Sequence, residues 1–122
     1  MVLRLVALVG VAVGILSVPA LAHHSFAMFD RETSIEVPAT VVELQWTNPH
    51  SWLEVTILDE QGQPLPVALE MSSPTSLIRD GWNPRIVMPG DQITVTYRPM
   101  RDGSNRQGQF VSMVLANGDT YE

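Results

Sequence analysis

The 122-residue chain contains no cysteine and no lysine, and only three histidines. Without cysteine there is no disulfide staple and no thiolate metal centre, so nitrogen, oxygen or thioether donors must hold any metal. All seven basic side chains are arginine, and thirteen acidic residues outweigh them to a formal charge of −6. That balance disfavours nucleic acid or an anionic membrane surface as a partner. The acids are scattered along the chain, as on solvated faces, rather than gathered into a run. There is no Gly-rich phosphate loop, no Ser-His-Asp arrangement and no paired-carboxylate spacing. No catalytic residue is therefore assigned, and the reading favours a binding protein over an enzyme.

Long apolar runs are missing everywhere but the N-terminus. Arg4 supplies a short positive region, Leu5 to Val18 is apolar apart from Ser17, and Pro19 precedes Ala20-Leu21-Ala22. This is the pattern of a secretory signal with a small-residue cleavage site. The run is short of the roughly 20 residues that span a bilayer. Residues 1–22 are expected to be a signal peptide and residues 23–122 a single soluble domain, periplasmic or secreted, with no membrane association after cleavage. An uncleaved N-terminal anchor is the alternative. The expected mature part carries six arginines against thirteen acids, a formal charge of −7.

The mature region reads as short strands. An extended arm over 23–34, pinned by its aromatic residues, leads into a strand over 35–46 in which Val42, Leu44 and Trp46 alternate with Val41, Glu43 and Gln45. Asn48-Pro49 signals a turn. Leu53, Val55 and Ile57 mark one face of a second strand, and Asp59 to Gln63 a hairpin loop. Val67 and Leu69 mark the third strand, whose start Pro64 and Pro66 confine to an edge. Ser73 as N-cap, Pro74 at the first helical position, the apolar pair Leu77 and Ile78, and Gly81 at the end predict one short helix, with Trp82 covering the core. Ile93, Val95 and Tyr97 give a fourth strand. A polar loop over 99–108, a fifth strand over 109–115 and an Asn117-Gly118 turn follow. Glu43, Glu54 and Glu70 are expected on outer strand faces. The order predicts an all-β fold, a five-stranded OB-like β-barrel with a helix between strands three and four. A two-sheet β-sandwich is the alternative.

The chemistry centres on His23-His24-Ser25-Phe26. If cleavage falls after Ala22, His23 becomes the first residue, and its free amine and imidazole Nδ1 can chelate one metal ion. A second imidazole completes three nitrogen donors in a T, the histidine brace, an arrangement that suits Cu(II). His24 at position two does not fit the terminal copper/nickel motif, which needs histidine third. His50, in Trp46-Thr47-Asn48-Pro49-His50-Ser51-Trp52, is the partner histidine. The plainer reading makes all three histidines solvated or turn residues. Met28, Met71, Met88, Met100 and Met113 form no Met-rich motif and read as packing. Trp46, Trp52 and Trp82, with Arg101 and Arg106 of the polar loop, are weaker candidates for holding a ligand.

These stretches, together with Ser73-Pro74, Gly81-Trp82, Pro89-Gly90-Asp91 and Asp102-Gly103-Ser104-Asn105-Arg106, resemble the domain of unknown function 6152 family over essentially the whole mature chain. The resemblance implies a small exported bacterial protein and supplies no activity, cofactor or site residue. Three functions stay open. The first is a copper-binding protein using His23, His50 and His24. The second is a metal-free OB-type module for a small ligand or a periplasmic partner protein. The third is a redox enzyme built on the same copper.

Overall fold

The structure is a computed structural model that describes residues 26–122. Residues 1–22, the expected signal peptide, and His23 and His24 lie outside the described residues. Strand β1 runs Ile35–Gln45, β2 Trp52–Leu58, β3 Pro64–Glu70, β4 Gln92–Pro99, β5 Gln107–Leu115 and β6 Thr120–Tyr121, with helix α1 at Pro74–Arg79 between β3 and β4. Antiparallel neighbours run β3-β2-β1-β4-β5, and a parallel pairing of β3 with β5 closes the ring. The result is the expected five-stranded OB-like barrel and not a sandwich. Strand β6 adds a short outer pairing to β5 at Met113 and Val114.

Alternation builds the core. Leu53, Val55 and Ile57 of β2, Val67 and Leu69 of β3, Ile93, Val95 and Tyr97 of β4, and Met113 of β5 all point inward and are buried. Each such aliphatic side chain contributes about 1.5–3 kcal/mol by leaving water. The Asp59 carboxylate ties the β2–β3 hairpin by accepting the Gln61 and Gln63 amides at 2.9 and 2.8 Å. Strand β5 joins β3 only at Ala68, Leu69 and Glu70. The proline-bearing half of β3 therefore keeps one edge unpaired by β5, as Pro64 and Pro66 require.

In β1 the inward face differs from the expected one. Val41 is buried and Val42 is 45% exposed. Val41 pairs with Val55 while Glu43 pairs with Glu54, so an extra residue is inserted at Val42. This β-bulge reverses the strand's parity. Ala39 and Val41 face inward before it, and Leu44 and Trp46 pack on the core after it. A simple alternation carried back from Leu44 through the bulge lands on the wrong valine. A second irregularity, between Thr96 and Tyr97 of β4, leaves Val111 of β5 without a register partner.

Helix α1 begins as predicted. Ser73 Oγ accepts the Ser76 amide at 3.3 Å, and Pro74 opens the first turn. At its end the amides of Gly81 and Trp82 donate to the carbonyls of Ile78 and Leu77, and Gly81 has φ +88°. That is a Schellman closure, which favours glycine at its left-handed position. Leu77 enters the core, whereas Ile78 is 59% exposed. Six residues offer too narrow a face to bury two adjacent side chains. Trp82 is 3% exposed, stands edge-on to Phe110 and Tyr121, and donates its indole N–H to the Glu122 carbonyl at 3.0 Å.

The incoming arm is a 3₁₀ turn at Phe26–Met28, not the expected extended chain. Phe29 is buried and bridges Met100. The Asp30 amide donates to the Pro99 carbonyl, and the Arg101 amide to the Met28 carbonyl, both at 2.8 Å. The arm is thus fastened to the loop that follows β4. Asp30 accepts the Thr33 hydroxyl and the Glu32 amide, which hold its carboxyl below the usual range.

Candidate metal site

His50 sits in the connection between β1 and β2, and main-chain bonds clamp that connection onto the end of β3. The Ser51 amide donates to the Ser72 carbonyl at 3.0 Å, and the Met71 amide donates to the Ser51 carbonyl at 2.9 Å. Ser51 is fully buried beneath this clamp. Thr47 Oγ1 donates to the His50 carbonyl at 2.8 Å, which tightens the turn around the cis Asn48-Pro49 peptide.

The same clamp aims the imidazole. His50 Nδ1 lies 3.0 Å from the Met71 carbonyl oxygen. A carbonyl only accepts, so Nδ1 carries the proton and Nε2 of the neutral ring carries the lone pair. This is how metal-binding histidines are commonly oriented, one nitrogen anchored on a backbone oxygen and the other directed at the ligand position. Nε2 faces Glu70 Oε1 at 3.6 Å.

Glu70 was expected on an outer face, and by alternation it does point away from Val67 and Leu69. It is nevertheless only 7% exposed. The clamped 46–51 connection brings His50 over it, so an outward residue becomes a buried one. Its Oε2 is buried with no hydrogen-bond partner among the described residues. Sequence alternation could not reveal this, because the cover comes from a loop twenty residues away rather than from the strand itself.

His50 and Glu70 share a pocket of about 160 Å³ with Met71, Leu77, Asp80, Phe110 and Glu122 among its walls. Three carboxylates line it, and no arginine does. Such a lining favours a cation over an anion. Among the described residues no three His, Asp or Glu side chains converge on a common metal position. The pair His50 and Glu70 does not by itself make a metal site.

The weaker ligand candidates are dispersed. Trp46 and Trp52 flank the His50 connection and are half-buried, while Trp82 is packed into the core. Arg101 and Arg106 are exposed on the loop between β4 and β5. Arg106 lines a separate groove of about 240 Å³ on the barrel wall with Val42, Glu54, Pro66 and Val67. None of these five residues lines the His50 pocket.

The sequence profile of a family of unknown function (DUF6152) matches residues 11–110. No curated protein matches the chain, and neither does any solved structure.

Proposed function

The chain belongs to the DUF6152 family, and from its own residues we propose an exported periplasmic protein that binds one Cu(II) ion. The donors are the amine and imidazole of His23, made N-terminal by cleavage after Ala22, and Nε2 of His50, with His24 as a further imidazole at the same end. The observation that carries this reading is the His50 ring, anchored through Nδ1 on the Met71 carbonyl so that Nε2 is directed toward an acidic pocket. A histidine fixed in this way offers a nitrogen donor without further ordering cost.

Reach supports the reading too. Glu70 pairs with Gln109, Gln109 with Arg98, and two residues beyond Arg98 the arm's Phe29 meets Met100. At about 4.8 Å per strand and 3.3 Å per residue, Phe29 lies roughly 16 Å from Glu70 along the wall. Six residues lead back from Phe29 to His23, a span of up to about 20 Å. In OB-folds the connections between strands one and two and between four and five carry ligands. Here the first holds His50 and the second fastens the arm.

The test uses protein whose intact mass shows it begins at His23, a form with an extra residue before His23, and His50→Ala. Copper titration followed by electron paramagnetic resonance is expected to give a nitrogen-ligated Cu(II) site in the first and a weakened or altered one in the others. If all three bind alike, or none binds below about micromolar, the copper reading fails. A second reading then takes its place, an OB-type module that holds a small ligand without metal. The groove beside Arg106 favours it, with half-buried Trp46 and Trp52 as further candidates.

A further inference from the structure

We infer that the acidic pocket between β3, α1 and β5 takes a short aliphatic diamine, one ammonium seated on the Glu70 carboxylate and the other held by Asp80 and Glu122. The inference uses no residue before Phe26 and no metal, so it stands apart from the copper reading. It comes from a buried, under-satisfied carboxylate, two exposed acids on the same pocket, and the apolar side chains that share its lining.

The buried charge comes first. A carboxylate removed from water is costly unless hydrogen bonds or an opposite charge replace the lost hydration. The Glu70 side chain is 8% exposed, and its Oε2 is buried with no hydrogen-bond partner among the described residues. Oε1 stands 3.6 Å from His50 Nε2, beyond hydrogen-bond range. The chain has no lysine, and no arginine lines the pocket. Arg98, two strands away, donates Nη1 to Gln109 at 3.1 Å. Among the described residues nothing supplies the compensating donor, and an external ammonium does.

The donor set decides the kind of cation. No three His, Asp or Glu side chains converge on a common point among the described residues, so these residues alone do not cage a metal ion. An ammonium carries three N–H donors and asks for acceptors, not for a coordination polyhedron. Its hydrogen bond to a carboxylate is of the stronger, charge-assisted kind. The two Glu70 oxygens share one charge and exchange by a half-turn of a broad terminal torsion, so either can meet the incoming group.

The rest of the lining sets the body of the ligand. Met71, Leu77 and Phe110 give the pocket an apolar wall, and Met71 and Leu77 are buried. A run of methylenes packs on such a wall as a lysine stem does. Asp80 and Glu122 line the same pocket and are exposed, so acidic charge stands at its solvent side as well as at depth. A second ammonium is favoured there over a neutral or anionic tail. The volume is about 160 Å³. A cavity of about 150 Å³ holds one benzene, and 1,4-diaminobutane has the same number of heavy atoms.

The experiment titrates protein beginning at His23, kept metal-free with a chelator, with 1,4-diaminobutane, n-butylamine and 1,4-butanediol. Calorimetry reads affinity and amide chemical shifts read location. The diamine is expected to saturate with a Kd below about 1 mM, to shift the amides of Met71, Leu77 and Phe110, and to bind more tightly than butylamine, while the diol does not bind. Glu70→Gln is expected to lose roughly tenfold or more in diamine affinity. Asp80→Asn, at an exposed position, is expected to fold as the parent does and to lose about two- to fivefold for the diamine with butylamine unchanged. It and the shift map decide the matter if Glu70→Gln does not fold. Equal diamine binding by the parent and Glu70→Gln would mean loose attraction to surface charge and overturns the inference. So do shifts confined to another part of the barrel, butylamine or the diol binding as tightly as the diamine, or no saturation below about 10 mM. Copper is absent from every arm, so none of these outcomes decides the copper reading.

Discussion

Replacing Gly108 with alanine should strike the seam at which the barrel closes. Gly108 pairs with Pro99 of β4 on one side and Leu69 of β3 on the other. A Cβ there would lie 2.6 Å from Tyr97 Cδ2, 2.9 Å from the Arg98 carbonyl oxygen and 3.2 Å from Leu69 Cδ2. Ordinary carbon contacts begin near 3.5 Å. The obstacle is space and not backbone conformation, since Gly108 is not among the glycines with positive φ. Tyr97 and Leu69 are buried, and the Arg98 oxygen belongs to the main chain, so none of the three can swing away freely. Overpacking of this kind costs about 1–3 kcal/mol, and three simultaneous clashes argue for the upper part. Alanine recovers about 0.4–1 kcal/mol by restricting the unfolded chain. The net expectation is a loss of about 2 kcal/mol, or a fall in Tm of roughly 8–16 °C for a domain of this size. Urea unfolding followed by tryptophan fluorescence reads it directly, with Trp82 as the buried reporter. A loss below about 0.5 kcal/mol with an unchanged slope would refute the claim that the seam has no room for a methyl group.

Four further outcomes follow from the same structure. Ser73→Ala removes the oxygen that accepts the Ser76 amide and should cost about 1 kcal/mol in urea unfolding; no measurable loss would mean the cap is dispensable. Leu53→Ala empties a fully buried site and should cost about 3–4 kcal/mol, so a loss under about 1 kcal/mol would show that the barrel collapses around the gap. Burial pushes the Tyr97 phenol up from its usual value near 10; the folded state then holds the proton longer, and stability present below that value is lost as pH rises toward the raised one. Urea midpoints between about pH 9 and 11 should therefore fall more steeply for the parent than for Tyr97→Phe, and equal slopes would count against it. Phe29→Ala should free the arm before the barrel: hydrogen exchange at the Asp30 and Arg101 amides should quicken while that at Val55 and Val95 holds, and uniform loss would show that the arm and barrel unfold as one unit.

The fold was legible because each level of the sequence agreed. Inward alternation at Leu53, Val55 and Ile57 and at Ile93, Val95 and Tyr97, the Ser73-Pro74 start and Gly81 stop of α1, and the Asn117-Gly118 turn all specified local structure that the barrel keeps. Two kinds of feature were not legible. A bulge leaves no mark in a run such as Val41-Val42, where both residues suit either face, and the hydrogen-bond register alone decides which turns inward. A loop folded over a strand is equally silent, which is why Glu70 reads as a surface acid beside Leu69. Of the candidate site, His50 was identified by its rarity and its place in a proline turn. Its anchoring on Met71 and its proximity to Glu70 depend on the Ser51–Ser72 clamp, a long-range contact that no local pattern encodes. Trp82 was expected both as core cover and as a weak ligand candidate, and its packing against Phe110 and Tyr121 gives it the first of these roles.

The placement of Glu70 is hard to explain by stability alone. A histidine–carboxylate contact at the wall of a small barrel is a weak contributor, because desolvation of the carboxylate offsets most of any attraction, and apolar residues of similar volume commonly do as well or better. The domain also has little to spare, since a fold of this size is stable by only about 5–15 kcal/mol. Yet the chain spends two main-chain hydrogen bonds between Ser51 and residues 71–72, and the imidazole's own bond to Met71, on holding His50 against that carboxylate. The Ser51 clamp fixes the connection that carries His50, and the Phe29–Met100 bridge fixes the arm that carries His23 to an adjoining part of the barrel wall. Removing either clamp should therefore weaken metal binding even though neither Ser51 nor Phe29 offers a metal donor. A purely structural His50–Glu70 pair predicts sensitivity to the first clamp only. That difference separates the two readings, since only a site completed by His23 would make the Phe29–Met100 bridge matter.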